Sequence, residues 1–78
     1  MTKRRVMFTF PEELIKTPVI YNLSQQFNLV TNILQADITE DRGWVVLELD
    51  GKDEDIEAGL AWAISRGVRV EPAGDESP

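Results

Sequence analysis

Leu29 to Asp50, LVTNILQADITEDRGWVVLELD, is the stretch that decides the fold. Its first half, Leu29 to Thr39, is rich in β-branched residues and lacks helical periodicity, so it reads as a strand. Leu34, Ala36 and Ile38 are expected to face a core from it. Glu40-Asp41-Arg42-Gly43 then supplies turn chemistry. Trp44 to Asp50 alternates, with Val45, Leu47 and Leu49 on one face and Trp44, Val46 and Glu48 on the other. Two strands joined by a short polar turn predict a hairpin.

Upstream, Val6, Phe8 and Phe10 alternate with Arg5, Met7 and Thr9, the period-2 pattern of a half-buried strand that Pro11 ends. Thr17-Pro18 reads as a helix start, with a hydroxyl at the cap and a proline whose missing N–H costs nothing in the first turn. Val19, Ile20, Leu23 and Phe27 recur at spacings of three and four, opposite Asn22, Gln25 and Gln26, which predicts an amphipathic helix.

Downstream, Gly51 is expected to break the strand. Asp53, Glu54, Asp55 and Glu57 crowd the start of the next segment, where negative charge complements the helix dipole. Ile56, Leu60, Ala63 and Ile64 are its expected buried stripe, and Trp62 points well away from that stripe, so it is read as packed on the helix flank. Arg66 falls in the last turn and Gly67 at the position after it, where a helix favours glycine. Val68 and Val70 alternate with Arg69 and Glu71 in a last short strand closed by Pro72. Ala73 to Pro78 shows no pattern and is expected to be a mobile tail.

The element order is therefore β-α-β-β-α-β, which predicts an α+β, ferredoxin-like sandwich over residues 4–72, an antiparallel sheet with both helices on one face. The second strand should lie at an edge, and the first, third and fourth together. The uncovered face is expected to carry Arg5, Met7 and Thr9; Ile33, Gln35 and Asp37; Trp44, Val46 and Glu48; and Arg69 and Glu71. Met7, Ile33, Trp44 and Val46 make it partly apolar. Isolated outward apolar residues are ordinary, but a continuous patch on so small a domain favours contact with a partner or ligand.

Composition narrows the chemistry. The chain has 78 residues, 8 Lys plus Arg against 14 Asp plus Glu, and neither His nor Cys. One small core leaves little net stability, and without thiols or imidazoles the remaining staple is association with a second copy. The same absences remove Cys and His nucleophile and base systems, thiolate or imidazole zinc sites and thiol redox chemistry. A net charge of −6 argues against nucleic acid, which is held by clustered Lys and Arg. The longest apolar run, Trp44 to Leu47, is too short to enter a bilayer, and the basic Met1 to Arg5 is followed by no apolar segment of signal-peptide length, so the expected location is the cytoplasm.

No catalytic motif emerges. Gly51-Lys52 lacks the spacing of a phosphate loop on both sides. The acidic set Asp50, Asp53, Glu54, Asp55 and Glu57 lacks the alternation of a calcium loop and reads as a solvated helix start. Ser24 and Ser65 have no base to activate them. The expectation is a domain that binds, with no enzymatic activity, no cofactor and no metal. Asn32 is the residue that stands out: a polar side chain at the start of an edge strand, able to donate and accept at once, suited to a carboxylate, an ammonium group or an unpaired strand backbone.

The chain resembles the NIL domain, the ferredoxin-like module named for its Asn-Ile-Leu motif and found at the C-terminus of methionine-importer ABC ATPases. The resemblance rests on Phe8-Thr9-Phe10, Pro18, Leu23 to Phe27, Asn32-Ile33-Leu34-Gln35-Ala36-Asp37-Ile38, Leu47-Glu48-Leu49-Asp50-Gly51, Ala61-Trp62 and Gly67-Val68-Arg69-Val70-Glu71. It implies paired domains that bind methionine near their mutual interface and report it to an ATPase, with Asn32 as polar anchor and Ile33 and Leu34 shaping an apolar slot for the thioether. This sequence carries no ATPase, so a methionine signal is expected to pass to another protein. Two functions follow as expectations. One is a homodimeric sensor of methionine or a related amino acid. The other is a protein-interaction module that docks a partner through Met7, Trp44 and Val46 with no small-molecule ligand.

Overall fold

The structure, a computed structural model, describes residues 2–73. The chain runs β1 (Thr2–Phe10), a single 3₁₀ turn (Glu12–Leu14), α1 (Val19–Phe27), β2 (Val30–Ile38), β3 (Gly43–Gly51), α2 (Asp53–Ser65) and β4 (Arg69–Pro72). The four strands form one antiparallel sheet in the order β2-β3-β1-β4. This is the ferredoxin-like arrangement that the hairpin and its flanks predict. From residue 74 on, the expected tail lies outside the described residues; Ala73 still donates its N–H to the Arg5 carbonyl at 3.2 Å.

The core lies between the sheet and the two helices. Val6, Phe8 and Phe10 of β1 and Val45, Leu47 and Leu49 of β3 are buried on the same sheet face, because antiparallel partners share a face and the pairs Val6↔Leu47 and Phe8↔Val45 are in register. The Phe8 and Phe10 rings meet edge to face at 6.0 Å between centroids, a favoured aromatic geometry. Val19 and Leu23 from α1, and Ile56 and Ala63 from α2, close the other side.

The helices differ from expectation in three places. Pro18 occupies the cap position of α1 with ψ 66°, outside the helical range, and no side chain caps that end. The Thr17 carbonyl, where a hydroxyl cap is expected, instead takes the Val19 N–H at 2.8 Å. On α2 the buried stripe is Ile56, Gly59 and Ala63, while Ile64 is exposed. Gly59 is where the helices approach: a Cβ there would stand 2.8 Å from Leu23 Cδ1 and 3.1 Å from Leu29 Cδ1. With the stripe centred on Gly59, Trp62 falls at its border and packs on Phe27, ring centroids 5.9 Å apart. β3 stops at Gly51 as expected, with the glycine as its last residue, buried, and Leu29 occupying the space of a side chain.

The ends of the helices follow residue chemistry. α1 stops at Asn28 in the left-handed region (φ 56°), a conformation asparagine tolerates better than most side chains. α2 carries Asp53, Glu54 and Asp55 in its first turn and runs out into Gly67 at φ 102°.

The largest correction concerns β2. Its pairing with β3 runs Asn32↔Glu48 and Ile33↔Leu47, then resumes at Gln35↔Val46 and Ala36↔Val45, leaving Leu34 unpaired as a bulge. The extra residue reverses the parity of the strand. Before it, Ile33 shares the helix-side face with Leu47; after it, Ala36 and Ile38 share that face with Val45 and Gly43. Asn32, Gln35 and Asp37 consequently lie on the open face. Ile33 is therefore not an open-face residue, and Leu34, Ala36 and Ile38 are not core residues: all three are exposed, because neither helix extends over this edge.

Candidate functional site

Cross-strand register orders the open face into rows. Asp37, Trp44, Thr9 and Arg69 form one; Gln35, Val46, Met7 and Glu71 the next; Asn32, Glu48 and Arg5 the third. Neighbours in a row are about 5 Å apart, the spacing of paired strands, so side chains of one row reach one another. The middle of the face is apolar, with Met7, Trp44 and Val46 half-buried. Two ion pairs flank that centre: Arg5 Nε lies 3.6 Å from Glu48 Oε2, and Arg69 Nε 3.0 Å from Glu71 Oε2.

Asn32 therefore stands beside Glu48 and Arg5, one row from Val46 and Met7. An amide, a carboxylate and a guanidinium on adjacent strands offer donors and acceptors of both signs to a small zwitterion. Of the three motif residues, Asn32 joins this face while Ile33 points to the opposite one, and Leu34 sits at the bulge between them. The apolar neighbours of Asn32 are thus Val46 and Met7. Sequence parity hides this grouping, since nothing in the composition of the strand marks Leu34 as the bulged position.

On the helix side, β2 borders a groove of about 190 Å³ lined by Ile15, Val19, Ile20, Ile33, Ala36 and Ile38, among others. It lies where α1 and the 3₁₀ turn stop short of the sheet edge. A third surface, about 310 Å³, lies along the helices between Asn22, Gln26, Trp62 and Arg66, whose guanidinium carbon sits 5.3 Å over the Trp62 ring. Among the described residues no group of three or more acidic side chains is placed to hold a metal ion. No described helix is long and apolar enough to cross a membrane.

The family model for the NIL domain matches residues 4–72 of this chain. No curated protein matches it. Among solved structures, the crystal structure of the C-terminal domain of an ABC transporter ATP-binding protein from Enterococcus faecalis is similar, with 25% identity, a TM-score of 0.81, and coverage of 94% of this chain and 86% of that one. A de novo designed protein, Ferredog-Diesel, aligns at 16% identity and a TM-score of 0.49 over 94% of this chain and 85% of its own.

Proposed function

The chain belongs to the NIL domain family, and from that premise we propose that it is a regulatory domain that binds methionine or a related amino acid and works as a homodimer. Support comes from the company Asn32 keeps. Its amide lies in a row with Glu48 and Arg5, next to the apolar row of Val46 and Met7. The Asn32 N–H₂ and the Arg5 guanidinium take the ligand carboxylate, and Glu48 takes the ammonium group. The thioether lies along Val46 and Met7, where polarizable sulfur makes favourable dispersion contacts. An unbranched apolar side chain fits a flat strip of this kind better than a charged one does. The similarity to a C-terminal domain of an ABC transporter ATP-binding protein supports a role in reporting to another protein, on the cytoplasmic side.

Calorimetric titration with L-methionine tests this. The wild-type chain should give binding heat, and Asn32→Ala should weaken binding by about tenfold or more, the worth of a hydrogen bond to a charged group. Absence of heat from the wild-type chain would overturn the reading.

A second reading rests on the half-buried, uncovered trio Met7, Trp44 and Val46. In it the open face docks a protein partner without any small molecule. Trp44→Ala should then abolish co-purification of that partner while methionine titrations stay flat.

A further inference from the structure

The two helices border a cavity that the methionine reading leaves unused. Asn22 and Gln26 stand one turn apart on α1, and Trp62 and Arg66 one turn apart on α2, so each pair lies on one side of its helix and both line the cavity. Leu14, from the 3₁₀ turn, and Thr17, from the link after it, complete the wall. At about 310 Å³ the cavity falls within the range of about 300–1,000 Å³ in which small molecules are held, while the groove beside β2, about 190 Å³, and the hollow between Thr9, Asp37 and Arg42, about 110 Å³, fall short.

Its charge is of one sign. Arg66 is the only ionisable side chain in the lining, and it forms no ion pair among the described residues. Its guanidinium carbon is held 5.3 Å over the Trp62 ring, and that ring is held in turn by Phe27, with centroids 5.9 Å apart. Contact with a ring fixes the guanidinium without giving its N–H groups an acceptor. Among the described residues none of those groups donates a hydrogen bond, and the Asn22 and Gln26 amides and the Thr17 hydroxyl make none either. The C-terminus of α2 accounts for an arginine at this position. It does not account for two amides and a hydroxyl, all without partners, around the same cavity, or for the half-burial of Asn22.

We infer that this cavity binds a small organic acid: an apolar molecule that ends in a carboxylate, carries a carbonyl or hydroxyl oxygen beside it, and has no ammonium group. Arg66 takes the carboxylate through two parallel N–H bonds, the geometry a guanidinium favours. The Asn22 and Gln26 N–H₂ groups donate to the second oxygen, and the apolar body lies against Leu14 and Trp62. The lining itself excludes the ammonium group, because a positive end would meet Arg66 and find no carboxylate. This cavity therefore selects against the zwitterion that the row of Asn32, Glu48 and Arg5, with charges of both signs, suits. A net charge of −6 opposes anions in general, which favours one carboxylate over a doubly charged phosphate.

Heteronuclear NMR of the full chain provides the test, following the indole N–H signals of Trp62 and Trp44 as α-ketoisocaproate, its methyl ester or L-leucine is added. The three share one branched apolar body and differ in charge at the polar end. α-Ketoisocaproate should shift the Trp62 signal saturably and leave Trp44 in place, and neither the ester nor L-leucine should move Trp62. Arg66→Gln should weaken binding of the acid by about tenfold or more, the worth of a hydrogen bond to a charged group. Arg66→Lys, which keeps the charge and loses the two-pronged geometry, should fall between that variant and the wild type. If Arg66→Gln fails to fold, Asn22→Leu serves in its place, with an expected loss of about fivefold. A Trp62 signal that stays still, an equal response to the acid and its ester or to the acid and L-leucine, or unchanged affinity in the variants would defeat the assignment. Asn32 lies on the other side of the sheet, so methionine titration of Arg66→Gln should match the wild type; loss of both ligands together defeats the assignment as well.

Discussion

β2 and β3 are hairpin partners of nine residues each, and each carries five apolar side chains, yet β3 buries every second residue while β2 buries none. Composition does not make the difference. β3 has a strand on either side and helices above it, and β2 has one neighbour and an open margin. Apolar residues in β3 are fixed by the fold of a single chain. Those in β2 gain little from that fold, because one of their two flanks stays open to water.

Substitutions can break or sharpen that contrast. The largest effect is expected in β3: Leu47→Ala should destabilise the chain by about 2–5 kcal/mol in urea denaturation, because it removes buried methyl groups and leaves a cavity. At the end of the same strand, Gly51→Ala should cost about 1–3 kcal/mol, since its Cβ would stand 2.6 Å from Leu29 Cδ2 and the core must shift to admit it. Across the hairpin, Ile33→Ala should change single-chain stability by about 0.5 kcal/mol, as is usual for surface positions. A cost near that of Leu47→Ala would erase the distinction between the strands. The smallest effect is expected from Arg4→Gln, which removes an exposed ion pair 2.7 Å long between β1 and Glu57 on α2; thermal denaturation should register about 0.5 kcal/mol or less.

The same contrast explains what could be read in advance. β1 and β3 were legible because each is regular and half-buried, so polarity and position agree at Val6, Phe8, Phe10, Val45, Leu47 and Leu49. The hairpin, the strand order and the glycine after α2 followed from the same local rules. β2 resisted because, Asp37 apart, its residues are apolar or neutral on both faces, and a bulge at a leucine leaves no compositional trace. On α2, Gly59 takes the contact position expected of Ile64, a role that hydropathy does not signal in a glycine, while Trp62 packs on the helix flank as its spacing predicts. At the candidate site, Asn32 was legible as a polar residue out of place, but its neighbours Glu48 and Arg5 emerged only from the register.

Leu34 behaves like an inserted letter that the sheet has absorbed without changing how the rest of the line is read. β3 pairs with Ile33 and Gln35 as if they were consecutive. Deleting Leu34 should therefore keep the reading frame: Asn32 would still meet Glu48, and Ala36 would still meet Val45. Deleting a neighbour such as Ala36 shifts the frame of one half of the strand unless Leu34 is drawn into the ladder to take up the slack. The bulge thus holds one residue in reserve, and a shorter homologue missing a residue here could preserve every facing across the hairpin.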